Sequence, residues 1–183
     1  LKKIVKGFNS FSLANVNHTN AILTKTKDTT EFLKELNQSV SKEGTSNLYI
    51  IHGTPKLDTA GIDSINYTAS FLELIGESNY ACSLEGAMPY FDINEIIKKK
   101  MKKNAVKKVQ VVPLLLVSGN HYIKDMNAIK DDLSSDFESS IVPTLTHGQY
   151  FNLIELPTIQ NIIIKNLEET FKMSGISHNE MTI

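Results

Sequence analysis

VQVVPLLLVSGNHYIKDM, residues 109–126, is the stretch from which the fold is read. Residues 109–117 are apolar except at Gln110 and Pro113, with valine and leucine dominating. A run of this kind makes a strand covered on both faces, as in a parallel sheet. Ser118 and Gly119 follow as a turn, and residues 120–129 read as the start of a helix. His121 is thereby delivered to the carboxyl end of a strand. Open α/β sheets bind their ligands at that edge.

Working outward, residues 47–51 (NLYII) and 80–84 (YACSL) read as further strands, closed by His52-Gly53 and Glu85-Gly86. Residues 59–75 have helical spacing, with Ile62, Ile65, Ala69, Phe71, Leu72 and Ile75 inward and Gly76 as the stop. After a turn at Pro89, residues 92–103 form another helix that buries Ile93, Ile96 and Ile97. The lysine run from Lys98 to Lys103 reads as a solvated helix end, where cations are favoured. Residues 131–135 read as polar surface and 140–145 as a last strand. A loop with His147, Gly148, Tyr150 and Glu155 leads to Pro157, placed in the first turn of a helix over 159–171.

At the amino-terminal side, residues 1–8 read as helix, 10–19 as irregular and 20–24 (NAILT) as a short strand. A helix over 28–40 turns Phe32, Leu33, Leu36 and Val40 inward, with Asp28 or Thr29 as its cap. The polar stretch 41–46 is read as a boundary, separating 1–46 from a main domain over 47–183. Strands alternating with helices require right-handed crossovers and a parallel sheet. The fold class expected is α/β, a three-layer sandwich.

Composition narrows the function. A formal charge of −1 gives no reason to expect nucleic acid or an anionic membrane as partner. No apolar run approaches the roughly 20 residues of a membrane span. The lone cysteine, Cys82, excludes an intrachain disulfide and fits a reducing compartment, hence a cytoplasmic expectation. There is neither a Walker loop nor a GxGxxG, so no nucleotide cofactor is expected.

Three side chains fall at strand ends: His52, Glu85 and His121. Two imidazoles and a carboxylate suit a divalent transition metal with open coordination positions. Each residue alone has a plainer reading. His52-Gly53 is a turn, Glu85 a solvated loop acid, and His121 a helix cap. His18, His147 and His178 lie in polar or loop segments and are weaker candidates, His147 at a strand end being the one that could line a cleft. Backbone N–H groups near Thr54 and Ser118-Gly119, with Lys56, are options for binding acidic groups, and Tyr90, Ser118 and Tyr150 for lining a ligand.

Three segments carry a family resemblance: IIHGTPK (50–56), ACSLEGAMPYFDI (81–93) and GNHYIKDM (119–126). In this order they resemble the anaerobic sirohydrochlorin cobaltochelatases, the class II chelatases. The resemblance implies a lyase that inserts cobalt(II) into sirohydrochlorin, without ATP, on the way to cobalamin. It implies that His52, Glu85 and His121 bind the metal and carry the chemistry. It also implies two similar α/β halves facing across a cleft, with 1–36 matching only the end of the first and 1–46 being that remnant with its linker. The chain departs from the family at TPKLD, after His52-Gly53, where some relatives are histidine-rich. Two alternatives stand beside this reading, a sirohydrochlorin ferrochelatase and a non-catalytic metal or tetrapyrrole carrier. The ligand types do not separate cobalt, iron and nickel, and a homo-oligomer is left open.

Overall fold

The computed structural model describes residues 17–54, 56, 61–117 and 119–173, without the side chains of residues 120–123 and 173. Its elements are α1 (Thr26–Val40), β1 (Thr45–Gly53), α2 (Ile62–Ile75), β2 (Asn79–Glu85), α3 (Tyr90–Lys103), β3 (Lys108–Leu114), α4 (Asn120–Leu133), β4 (Glu138–Ile141), a 3-10 turn (Leu153–Glu155) and α5 (Pro157–Met173). The four strands form one sheet in the order β2-β1-β3-β4, and every pairing is parallel.

Alternation along the strands builds two cores. Tyr49 and Ile51 of β1, Ala81 of β2 and Val112 of β3 face α1, α2 and α5, meeting Phe32, Leu33, Leu36, Leu72 and Ile159. Leu48, Ile50, Tyr80, Cys82, Val109 and Val111 face α3 and α4, meeting Ile97, Met101, Met126, Ile129 and Leu133. The result is the expected three-layer α/β sandwich. Pro113 is tolerated in β3 because β4 has already ended, its last pair being Val111 with Ile141.

Polar side chains fasten the amino edge. Asn79 Nδ2 donates to Asn37 Oδ1 (2.8 Å) and Leu72 O (2.8 Å), and Tyr49 Oη donates to Asn37 Oδ1 (2.8 Å). Gln110, 1% exposed, donates to Val40 O at 3.0 Å. Together these bonds tie α1 to the sheet. Tyr49 ionises above its ordinary value, chiefly because it is buried.

Several sequence readings need correction. Residues 20–24 are not a strand. They make a turn with Leu23 at φ 57°, and Ile22 and Leu23 tuck against the core. Helix α1 starts at Thr26, so neither Asp28 nor Thr29 is its cap. The cap position is Lys25, with no side-chain cap bond, and Thr29 Oγ1 instead donates to Lys25 O at 3.0 Å. Ile96 is 67% exposed, off the buried stripe that Ile97 and Met101 define. Lys98 belongs to that stripe and is only 5% exposed, not solvated. Helix α4 runs through residues 131–133, where Leu133 is fully buried. Strand β4 is Glu138–Ile141 rather than 140–145. The readings for residues 1–8 and 10–16, and for the tail from 174, lie outside the described residues.

The connections explain where a crevice opens. From β1 the chain leaves through α2 on one face of the sheet, and from β3 through α4 on the other. Adjacent strands whose connections depart to opposite faces form a switch point, and the segments leaving their carboxyl ends diverge there.

Candidate metal centre

His52 is the penultimate residue of β1 and Glu85 the last of β2. The register pairs Gly53 with Glu85 across these neighbouring strands. His52 Nδ1 lies 3.6 Å from Glu85 Oε1, and the two side chains are 51% and 44% exposed. His52 Nδ1 also lies 3.4 Å from Gly53 O. Facing these two oxygens favours the proton on Nδ1.

The glycines that follow each residue are required by the backbone. Gly53 has φ +83°, and a Cβ there would sit 1.9 Å from Glu85 O. Gly86 has φ +81°, and a Cβ there would sit 1.7 Å from Thr54 O. Each turn packs against the backbone of the other, and that close approach brings the imidazole and carboxylate together.

The pair opens into a pocket of about 310 Å³ lined by His52, Leu84, Glu85, Tyr90, Phe91 and Asp125. Tyr90, one of the residues read as lining a ligand, is on the wall of this pocket. Asp125 and Phe91 were missed. Asp125 lies four residues after His121 in α4, and that spacing puts both on one helix face. His121 is the second residue of α4, just past the switch point, but its side chain is outside the described residues. Ser118 is also outside them. Among the described residues no group of three His, Cys, Asp or Glu could hold a metal ion. Among the described side chains the candidate centre is the His52–Glu85 pair, with a second carboxylate, Asp125, elsewhere on the pocket wall.

The other residues singled out are placed as follows. His147 is exposed in the loop after β4. His18 Nδ1 lies 3.2 Å from Thr19 O, in a segment without regular structure. Thr54 and Lys56 form a local turn, in which Lys56 N donates to Thr54 Oγ1 at 3.3 Å and Thr54 Oγ1 donates to Lys56 O at 3.0 Å. His178 lies outside the described residues.

A partly buried network lies behind the pocket wall at Tyr90. Asp132 Oδ2 of α4 accepts from Tyr90 Oη (2.7 Å), Asn94 Nδ2 (3.2 Å) and Lys98 Nζ (2.9 Å). Burial alone would raise the Asp132 carboxyl. The bonds from Lys98, Tyr90 and Asn94 outweigh it and hold the group below its ordinary value. For Lys98, burial opposes the charged form, but Asp132, Glu95 and Asp136 keep it raised.

Comparison with known proteins identifies the family. Residues 1–172 match the family described as cobalt chelatase (CbiK). The chain belongs to that cobalt chelatase family. A solved structure supports the fold, that of a protein of Marinobacter aquaeolei VT8 assigned to cobalamin (vitamin B12) biosynthesis under the name CbiX. It superposes with a TM-score of 0.50 at 22% identity, covering 70% of this cobalt chelatase family member and 98% of the other chain. No curated protein matches. Among the described residues of the chelatase, no helix is long and apolar enough to cross a membrane.

Proposed function

We propose that the chain is a sirohydrochlorin cobaltochelatase serving cobalamin synthesis in the cytoplasm. Cobalt(II) and the macrocycle are its substrates. Four nitrogens of the macrocycle bind the ion, two N–H protons leave, and no electrons move. The protein has to hold the ion while its waters leave and has to receive the two protons. His52 and Glu85 hold the ion, with His121 as third ligand from the first turn of α4. An imidazole serves as ligand or proton acceptor because it titrates near neutrality. The carboxylate lowers the charge of the bound dication. The step needs no ATP if the macrocycle ends as the stronger ligand. The division at 41–46 belongs to this proposal as well, although α1 on its near side shares the core of the sheet.

One observation carries the reading: an imidazole and a carboxylate 3.6 Å apart at the carboxyl edge of a parallel sheet, in a chain of the chelatase family. Insertion of cobalt(II), iron(II) and nickel(II) into sirohydrochlorin by the purified protein tests it. Cobalt should be inserted fastest. Faster iron insertion would make it a ferrochelatase, because the same donors suit iron(II). Binding of metal and macrocycle with no insertion would make it a carrier. Cobalt affinity unchanged in His121→Ala would remove His121 from the site.

A further inference from the structure

The segment EGAMPYF, residues 85–91, turns the chain from β2 into α3. Gly86 and Met88 both have positive φ (81° and 56°). Ser83 ties the turn back onto β2, its Oγ donating to Ala87 O at 2.6 Å and its N–H to Met88 O at 3.1 Å. Pro89, at φ −63°, then starts the helix. Tyr90 and Phe91 are thereby set on the first turn of α3, at the far side of this turn from Glu85.

The two aromatic residues have opposite environments. Tyr90 is 1% exposed, and its hydroxyl is held by Asp132 inside the network with Lys98. Phe91 packs edge-on against Tyr90, with ring centroids 5.2 Å apart and planes at 82°. Yet Phe91 is 55% exposed and lines the same pocket as His52 and Glu85. A hydrated metal ion gains nothing from an exposed phenyl ring. A flat conjugated ligand does, since it can cover the ring at little cost in side-chain freedom, the ring being already braced. The pocket, about 310 Å³, is at the small end of ligand sites. It has room for the ion and one edge of a large ring system, whose face would then extend over Phe91.

We propose that Phe91 is the residue against which the tetrapyrrole lies, and that it sets the preference for a flat macrocycle over other metal acceptors. This rests on the chelatase reading above. Three variants test it: Phe91→Ala, Phe91→Leu and Phe91→Tyr. Sirohydrochlorin binding is followed by its absorbance and emission in the absence of metal, and cobalt binding by calorimetry in the absence of macrocycle. Circular dichroism checks that each variant is folded.

Phe91→Ala should weaken sirohydrochlorin binding by about tenfold and raise its KM to match. Phe91→Leu should fall between the two, and Phe91→Tyr should bind within about twofold of the wild type. Cobalt affinity should stay unchanged in all three, with kcat at saturating macrocycle little altered. If wild type binds sirohydrochlorin and Phe91→Ala binds it equally well, the inference fails and the chelatase reading stands. If cobalt affinity falls in step with macrocycle affinity, the ring merely supports the metal pair, and the inference also fails. A wild type that binds cobalt but no sirohydrochlorin overturns both.

Discussion

Replacing Gly53 with alanine tests whether backbone approach sets the metal pair. A Cβ at this position would lie 1.9 Å from Glu85 O, 3.0 Å from Glu85 C and 3.1 Å from Ser83 Cβ. The obstructing atoms are mainly backbone, so no rotamer change relieves the overlap, and the strand ends must part by about 1 Å or more to reach an ordinary contact. Alanine at φ +83° adds roughly 1–2 kcal/mol of conformational strain. The total should be about 2–4 kcal/mol of lost stability. Because Gly53 is paired with Glu85, the separation passes directly to the His52–Glu85 distance. Cobalt affinity should therefore fall by about 10–100-fold, as when the support of a metal ligand is removed. Gly44→Ala is the matched control. Its φ is +70°, but nothing lies within 4 Å of its added Cβ. It should cost about 1 kcal/mol and leave cobalt binding alone. Chemical denaturation and cobalt calorimetry on both variants give the comparison. Equal destabilisation by the two, with cobalt affinity intact in Gly53→Ala, would refute the argument that the interlocked turns position the pair.

Three further outcomes are expected. Asp132→Ala removes the 2.9 Å partner of Lys98, leaving a buried ammonium with only Glu95 (3.7 Å) and Asp136 (3.9 Å) nearby. It should cost about 3 kcal/mol, whereas Lys98→Met should cost less than about 1, measured by urea denaturation. Glu155 Oε2 accepts from Thr144 Oγ1, Thr146 Oγ1 and the N–H groups of Leu145 and Thr146, and Oε1 from Asn152 N–H. Burial alone would raise this carboxyl, but these donors hold it below its ordinary value. Its stabilising effect is thus present at neutral pH and lost as pH falls through that depressed value. Glu155→Gln should cost roughly 1–2 kcal/mol at pH 7, and the gap from wild type should close as wild type is acidified below about pH 4. Finally, burial pushes the Cys82 thiol up to about 12, with Glu73 adding to the shift. Iodoacetamide at pH 8 should leave it unmodified in the native protein and alkylate it in denaturant.

The inner strands were legible because their residues are apolar on both faces. VQVVPLL and NLYII have few other ways to be buried. The edge strand was harder. Glu138–Ile141 reads ESSI, with one apolar residue. Its register is set by pairing with Lys108–Val111, and the Lys108–Glu138 ion pair at 3.0 Å lies 30 residues apart in sequence. NAILT has the composition of a strand but pairs with none. Its two largest apolar side chains are instead partly buried against the core from a turn. The lysine run misled for a different reason. Its buried stripe, Tyr90, Ile97, Lys98 and Met101, has helical spacing that was visible in the sequence. What makes a lysine tolerable on that stripe is Asp132, supplied from another helix.

The site was legible to the extent that backbone geometry encodes it. A residue with useful chemistry followed by glycine at a strand end is a weak signal when seen once. Here His52-Gly53 and Glu85-Gly86 are a single device. The Cβ excluded at Gly53 would strike Glu85 O, and the one excluded at Gly86 would strike Thr54 O. Each glycine is needed because the other turn is there, so the dipeptides specify each other across 33 residues of chain. The position of Asp125 was recoverable by the same kind of argument, since one helical turn separates it from His121. Phe91 was not. Nothing in YFDI says that the tyrosine is buried and the phenylalanine exposed, the reverse of what their polarity predicts. That inversion depends on Asp132 accepting the tyrosine hydroxyl at 2.7 Å. Hydrogen-bonding Tyr90 inward leaves its neighbour in the first helical turn facing the pocket. The aromatic wall beside the metal pair thus follows from the same partly buried carboxylate that neutralises Lys98.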